Sequence, residues 1–160
     1  MGWNESQYTE TKSNDWGTPD EVLQPLQEHF EGIGLDPCAN PNALLEARRN
    51  ITLPEDGLLA DWSGHGLVYI NPPFSKIKPW VEKAASEGDE VILLLPARTG
   101  SVWWQTYVAP ADVILFWRGR LTFYGAKDIA PFHCALVYWG VRPELFLKAF
   151  PGHWYVRRSA

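Results

Sequence analysis

EVILLLP, residues 90–96, places Val91, Ile92, Leu93, Leu94 and Leu95 in succession and closes with Pro96. A strand with one wet face alternates apolar and polar residues. A strand that is apolar at every position is covered on both faces, as in a mostly parallel sheet flanked by helices. Proline cannot donate to a sheet ladder, so Pro96 ends the element. Working outward, LVYI at 67–70 repeats the design: a short buried strand stopped by Pro72 and Pro73 in the stretch NPPF, 71–74. A helix near 77–88 joins the two strands.

The rest of the chain continues the alternation. WGTPDEVLQPLQEHF, 16–30, predicts a helix in which Thr18 is the N-cap, Pro19 the first residue and Glu21 the closing member of a capping box. Val22, Leu23, Leu26 and Phe30 share one face, and Pro25 is expected to kink it. GIGLDPCAN (32–40) reads as a very short strand and a loop, NPNALLEARRN (40–50) as a helical turn or two, and LPEDGLLADWSGHG (53–66) as loop. SVWWQTYVAP (101–110) reads as helix, DVILFWRGRLTFYG (112–125) as a strand pair, HCALVYWG (133–140) as a strand and RPELFLKAF (142–150) as a last helix. The expected fold class is α/β: one mostly parallel sheet with an antiparallel edge and helices on both faces. Residues 1–15 are expected to be a flexible arm and 16–160 one domain. In such sheets ligands bind outside the carboxyl ends of the strands. That rule gathers DPCAN, the Asp61-Trp62 loop, NPPF and PARTGS (96–101) on one rim.

Composition excludes several classes. With 160 residues, 46% hydrophobic and 21% charged, the chain is globular rather than disordered. No apolar stretch approaches a membrane span, and the polar start lacks the core of a signal peptide. Cys38 and Cys134 have no CxxC partners, and His29, His65, His133 and His153 lack metal-ligand spacing, so a reduced, cytosolic chain without metal is expected. The net charge of −5 argues against indiscriminate polyanion binding. Arg118, Arg120, Lys127, Arg142, Lys148, Arg157 and Arg158 nevertheless sit in the second half, so any nucleic acid meets that half, together with Lys76 and Lys78. For each single charge an ordinary solvated surface explains the residue equally well. Of the nine tryptophans, Trp80, Trp103 and Trp139 sit in apolar contexts that suit a core, whereas Trp3, Trp104 and Trp154 are candidates for exposure.

Asn71-Pro72-Pro73-Phe74 matches the [DNS]-P-P-[YFW] motif of amino-group methyltransferases. In order along the chain stand Trp16-x-Thr18-Pro19, Leu35-Asp36-Pro37-Cys38-Ala39, Asp56-Gly57-Leu58, Asp61-Trp62-Ser63-Gly64, NPPF and Gly119-Arg120-Leu121-x-Phe123. This ordered set, over roughly residues 16–140, resembles the phage-type DNA N6-adenine methyltransferase (Dam) family. The resemblance implies a Rossmann-like methyltransferase sheet, S-adenosylmethionine as methyl donor, S-adenosylhomocysteine as product, no metal, and DNA as substrate. It also implies a phage protein acting in the host cytoplasm, with no membrane partner. A homodimer and a separate target-recognition subunit both stay open, since no target-recognition domain is apparent.

The implied chemistry explains the motif. The amine on adenine is a poor nucleophile because its lone pair is delocalised into the ring. Two acceptors aimed at its hydrogens, the Asn71 side-chain oxygen and the Pro72 carbonyl, favour a pyramidal nitrogen and stabilise its developing positive charge. Pro72 and Pro73 restrict the turn to few conformations. Phe74 offers an exposed face on which an extruded base stacks, a contact worth roughly 1–3 kcal/mol. Cofactor contact is implied for Trp16, Thr18, Pro19, Asp36, Cys38, Ala39 and Asp61, with Cys38, Ala39 and Asn40 standing where many such enzymes carry a glycine-rich turn. Lys76, Arg98, Arg118 and Arg120 are the candidates for substrate contact. Local structure competes at several positions: capping for Thr18 and Asp61, an Asx-turn for Asp36, a small buried hydrophobe for Cys38, and a rigid turn with a core Phe74 for NPPF. Two further functions stay open: methyl transfer to RNA or to a protein glutamine on the same fold, and a nucleic-acid-binding module that has lost transfer. The intact Asn-Pro-Pro-aromatic set argues against the second of these.

Overall fold

Seven strands form a single sheet in the order β2-β1-β3-β4-β6-β5-β7. They are β1 (Ile33–Asp36), β2 (Ala47–Asn50), β3 (Leu67–Ile70), β4 (Glu90–Pro96), β5 (Val113–Phe116), β6 (Cys134–Trp139) and β7 (Trp154–Arg157). The protein is described by a computed structural model over residues 16–159; the arm read at residues 1–15, and Trp3 within it, lie outside the described residues. Strands β2, β1, β3 and β4 run parallel, and β6, β5 and β7 continue the sheet in antiparallel pairings. As the apolar run predicts, β4 is buried at every position, and so are β1 and β3.

Helices cover both faces. In the antiparallel half, Ile114 lies opposite Val137 and Phe116 opposite Ala135, so these share one face, while Tyr138 points to the other. Tyr138 stacks on Phe146 of α3 (Pro143–Ala149) and lies 6.4 Å from the ring of Phe30, which ends α1 (Asp20–His29). Phe116 on the opposite face meets Trp104 of a π-helical segment, Trp104–Val108, which packs with α2 (Ile77–Ser86).

The structure departs from the sequence expectations at four places. Thr18 does not cap α1. Its hydroxyl is buried and bonded to the Tyr69 hydroxyl at 3.0 Å, and Pro19 occupies the cap position without a side-chain bond. A tertiary partner has outcompeted the local one. Helix α1 runs through Pro25 to His29, with the proline inside it as read from the sequence. Ala47–Asn50 is strand rather than helix, pairing parallel with β1 as an edge; its two exposed arginines mask the strand in sequence. The second half of 112–125 forms no strand. Leu121 and Phe123 are buried beneath the loop, where Ala130 N–H donates to the Leu121 carbonyl at 2.8 Å. Strand β7 is absent from the sequence reading: exposed at every position, it shows no apolar–polar alternation, and its Trp-Tyr-Val run is a β-propensity signal only. Among the tryptophans, Trp80 is buried and Trp154 exposed as expected. Trp103 and Trp139 are only partly buried, and Trp104, expected at the surface, is 4% exposed.

Candidate functional site

The chain leaves β1 for β2 on one side and then crosses to β3 on the other, which opens a crevice between the carboxyl ends of β1 and β3. Asp36 ends β1, and Asn71 follows β3 directly. Both line a cavity of about 200 Å³ whose walls also include Trp16, Gly17, Thr18, Cys38, Ala39, Asn40, Pro41, Asn42, Ala43, Leu45, Pro72 and Pro73.

One wall is the turn after β1. Asp36 is 4% exposed, and its Oδ1 accepts the Cys38 N–H at 3.1 Å, forming the Asx-turn. Burial pushes this carboxyl up to about 7, with the Cys38 bond opposing only in part. Burial, together with the Asp36 charge, pushes the Cys38 thiol up to about 12, so the thiol is neutral at physiological pH and unsuited to nucleophilic work. Gly57 presses against the same turn. A Cβ there would fall 1.7 Å from the Pro37 carbonyl oxygen, so only glycine fits.

The second wall is the NPPF turn. Lys76 N–H donates to the Pro73 carbonyl at 3.0 Å, closing a tight turn that leads into α2. Asn71 is half-buried, and its Nδ2 donates to the Trp16 carbonyl over a long 3.5 Å, which leaves its oxygen for other partners. The third wall, Trp16–Thr18, is pinned at several points. Gly17 and Tyr124 exchange two backbone hydrogen bonds of 3.0 Å, the Trp16 ring stacks on Phe123 at 5.4 Å, and Thr18 holds Tyr69. A Cβ on Gly17 would meet Ala43 Cβ at 3.0 Å and Tyr124 Cβ at 3.2 Å.

Of the residues singled out in the sequence, Trp16, Thr18, Asp36, Cys38, Ala39, Asn71, Pro72 and Pro73 come together in the cavity. Pro19 is buried behind Thr18 and does not line it. Phe74 is not the exposed ring expected. It is 5% exposed and packs edge-on against Phe123 at 5.8 Å and Phe132 at 5.3 Å, because the turn directs it into an aromatic cluster.

Asp61 is also elsewhere. The chain runs from Gly57, at the carboxyl end of β1, down to the loop before β3. There Gly64 N–H donates to Asp89, next to the amino end of β4. Asp61 caps Ser63 through bonds of 2.9 and 2.7 Å, which, with Ser63 as the main cause, hold its carboxyl below the ordinary range. The expected common rim therefore loses the Asp61-Trp62 loop. Trp62 is fully buried, its ring 6.2 Å from Trp80.

Lys76, Arg98, Arg118 and Arg120 are exposed and stand outside the cavity. Arg98 touches the NPPF turn through a 3.5 Å bond to the Phe74 carbonyl. The sequence reading missed Gly17, Pro41, Asn42, Ala43 and Leu45 as wall residues. It also missed Asn50, which lies opposite Asp36 in the β1–β2 register and whose Oδ1 is buried without a partner among the described residues. Asn40, the end of DPCAN, was expected on this rim and does line the cavity. Among the described residues no group of three or more His, Cys, Asp or Glu converges, and no helix is long and apolar enough to cross a membrane.

A family model for DNA N-6-adenine-methyltransferase (Dam) matches residues 5–133. The DNA N-6-adenine-methyltransferase of Haemophilus phage HP1 (strain HP1c1) is 30% identical over 114 residues, covering 66% of this chain and 65% of that protein. The enzyme of the same name from Escherichia phage T1 is 29% identical over 112 residues, covering 67% of this chain and 46% of that protein. The match thus spans less than two-thirds of either relative's length.

Proposed function

Because the chain belongs to the DNA N-6-adenine-methyltransferase (Dam) family, we propose that it transfers a methyl group from S-adenosylmethionine to the exocyclic amine of adenine in DNA. The observation that supports this most is the meeting of Asp36–Ala39, Trp16–Thr18 and Asn71–Pro73 in one cavity at the strand switch point. The cavity fits such a cofactor in its chemistry. A buried carboxyl pushed up to about 7, with no cationic side chain among the described residues acting on it, suits a ligand that brings an amine or hydroxyl donor. At about 200 Å³ the cavity is smaller than the ~300–1,000 Å³ of typical small-molecule sites, so a nucleoside-sized ligand fills it and extends past its walls.

The cofactor supplies an electrophilic methyl group with its own leaving group, so the chain needs no covalent nucleophile. In this reading Asp36 and the turn to Ala39 hold the cofactor, and Trp16–Thr18 close over it. The Asn71 oxygen and the Pro72 carbonyl accept the two amine hydrogens of an adenine extruded from the duplex. They thereby favour the charge that develops on nitrogen in the transition state. Trp16 contributes indirectly by engaging the Asn71 amide NH₂, which turns the oxygen toward the substrate. Lys76 and Arg98, exposed beside the turn, meet phosphates flanking the target base. Both relatives are phage proteins, and the same reading takes the host cytoplasm as the place of action.

The test is incubation of the purified protein with methyl-labelled S-adenosylmethionine and separate plasmid DNA, RNA and protein acceptors, followed by nucleoside analysis. Label in N6-methyladenine from DNA is the expected result. Label confined to RNA, to protein or to cytosine overturns the reading.

A further inference from the structure

The sheet directions put more than the cavity on the carboxyl rim. Strand β5 is antiparallel to β6, which is antiparallel to β4, so β5 points the same way as β3 and β4. Its carboxyl end, Phe116, therefore opens onto the same rim as Asn71, and so does the Arg118-Gly119-Arg120 stretch that follows. Strand β7 runs opposite to β5 and so begins at that rim, with Trp154 beside Phe116. Trp154 is 68% exposed and stacks on Phe116 at 4.7 Å, the ring planes 28° apart. His153 precedes it, and its Nδ1 accepts the Arg118 backbone N–H at 2.9 Å. An acceptor Nδ1 requires the proton on Nε2, which leaves that nitrogen as a donor.

This surface is held in register with the catalytic turn. Phe123 and Phe132 of the β5–β6 connection pack on Phe74, and Tyr124 is bridged to Gly17 of the cavity wall. Arg118 and Arg120 are exposed and enter no ion pair among the described residues. On the other side of β3 the rim is occupied by the cavity walls, and the cations of β2 are engaged, Arg48 with the His65 carbonyl and Arg49 with Glu55. Adjacent strands are ~4.8 Å apart, so three steps from β3 to β5 span about 14 Å and four steps to β7 about 19 Å. At about 3.4 Å per base pair this is roughly four to six base pairs.

Resting on the methyltransferase reading above, we propose that the carboxyl rim from Asn71 to Trp154 is the duplex-binding face. Arg118, Arg120, His153 and Trp154 hold the DNA some four to six base pairs to one side of the modified adenine. The chain grips its substrate asymmetrically, with the cofactor cavity on one flank and the duplex on the other. His153 and Trp154 lie beyond the family-matched residues.

The test measures equilibrium binding of a mixed-sequence DNA duplex over a range of potassium chloride concentrations. Removing one cation that neutralises a phosphate lowers the slope of log affinity against log salt by about 0.9, so Arg118→Ala/Arg120→Ala should lower it by about 1.8. Arg118→Lys/Arg120→Lys should keep the wild-type slope. Trp154→Ala should weaken binding several-fold with the slope retained. Arg158→Ala, beyond the far end of β7, should change neither. An unchanged slope in the double alanine variant, or an equal fall in Arg158→Ala, overturns the proposal. Once the modified adenine has been located by sequencing, duplexes shortened from one side should lose affinity sooner than those shortened from the other; symmetric loss also overturns it. Wild-type protein that shows the expected slopes but methylates no DNA leaves this face standing and removes the methyl-transfer reading instead.

Discussion

Asp36 offers the sharpest test of the cavity's chemistry, because its environment sets a measurable pH dependence. Its carboxyl, buried at the end of β1, has its midpoint at about 7 in the folded protein against 3.8 for an ordinary aspartate. Without ligand, the folded state holds the extra proton between those values. Stability is therefore fully present below about 3.8 and is lost as pH rises to about 7, a span worth roughly 4 kcal/mol. A ligand that brings a cationic amine to this carboxyl favours its ionised form, and in the proposed function it binds that form. The ionised fraction is about 3% at pH 5.5 and about 50% at pH 7, so the dissociation constant should fall roughly 16-fold over that interval. The α-amino group of the ligand, with an ordinary pKa near 7.7–8.0, stays charged through this range and adds little. Titration calorimetry with S-adenosylhomocysteine, in buffers of different ionisation enthalpy, should report release of close to one proton at pH 5.5. Asp36→Asn keeps an acceptor for the Cys38 N–H but removes the ionisation. It should flatten the pH profile, bind more weakly at pH 7, and melt above wild type at pH 8 when no ligand is present. A wild-type affinity that is flat from pH 5.5 to 7, or an Asp36→Asn profile as steep as wild type, would refute the assignment of this carboxyl to the ligand.

Other substitutions separate chemistry from architecture. Asn71→Ala should lower methyl transfer by about 10²–10³ while cofactor binding persists, and turnover equal to wild type would remove the acceptor role. Phe74→Ala, at a ring buried among Phe123 and Phe132, should cost about 3–5 kcal/mol in denaturant unfolding, and Phe74→Trp should also destabilise by overpacking. A nearly unchanged melt with a damaged enzyme would instead return Phe74 to the substrate. Thr18→Val and Tyr69→Phe should each cost about 1 kcal/mol and weaken cofactor binding; the double variant should lose little more than either single one, whereas additive losses in a double-mutant cycle would show the hydroxyls to be uncoupled.

Where periodicity is set by burial, the sequence was sufficient. Val91–Leu95 and Leu67–Ile70 are apolar at every position because helices cover both faces, and that alone specifies the central strands and the α/β class. The prolines of NPPF and the position of Asp36 after a short strand likewise marked two walls of the cavity, since strand ends in such sheets converge on one rim. Elements at the margin were different. Ala47–Asn50 and Trp154–Arg157 are edge strands whose side chains largely face water, so no apolar–polar alternation marks either as a strand. Thr18 looked like a cap because the local signal is sound, and only the fold could bring Tyr69, 51 residues away, to take the hydroxyl instead. The same holds for Phe74, where an aromatic after two prolines is compatible with a stacking platform or a core plug. The choice between them fell to Phe123 and Phe132, which fold over the turn from a distant loop. Asp61 follows the same logic, because spacing places it before β3 but cannot say that the chain has already descended to the opposite end of the sheet. Sequence determines what depends on neighbours along the chain and on burial of whole elements; which surface a side chain meets across the fold is a pairwise fact, decided only when distant segments compete for it in space.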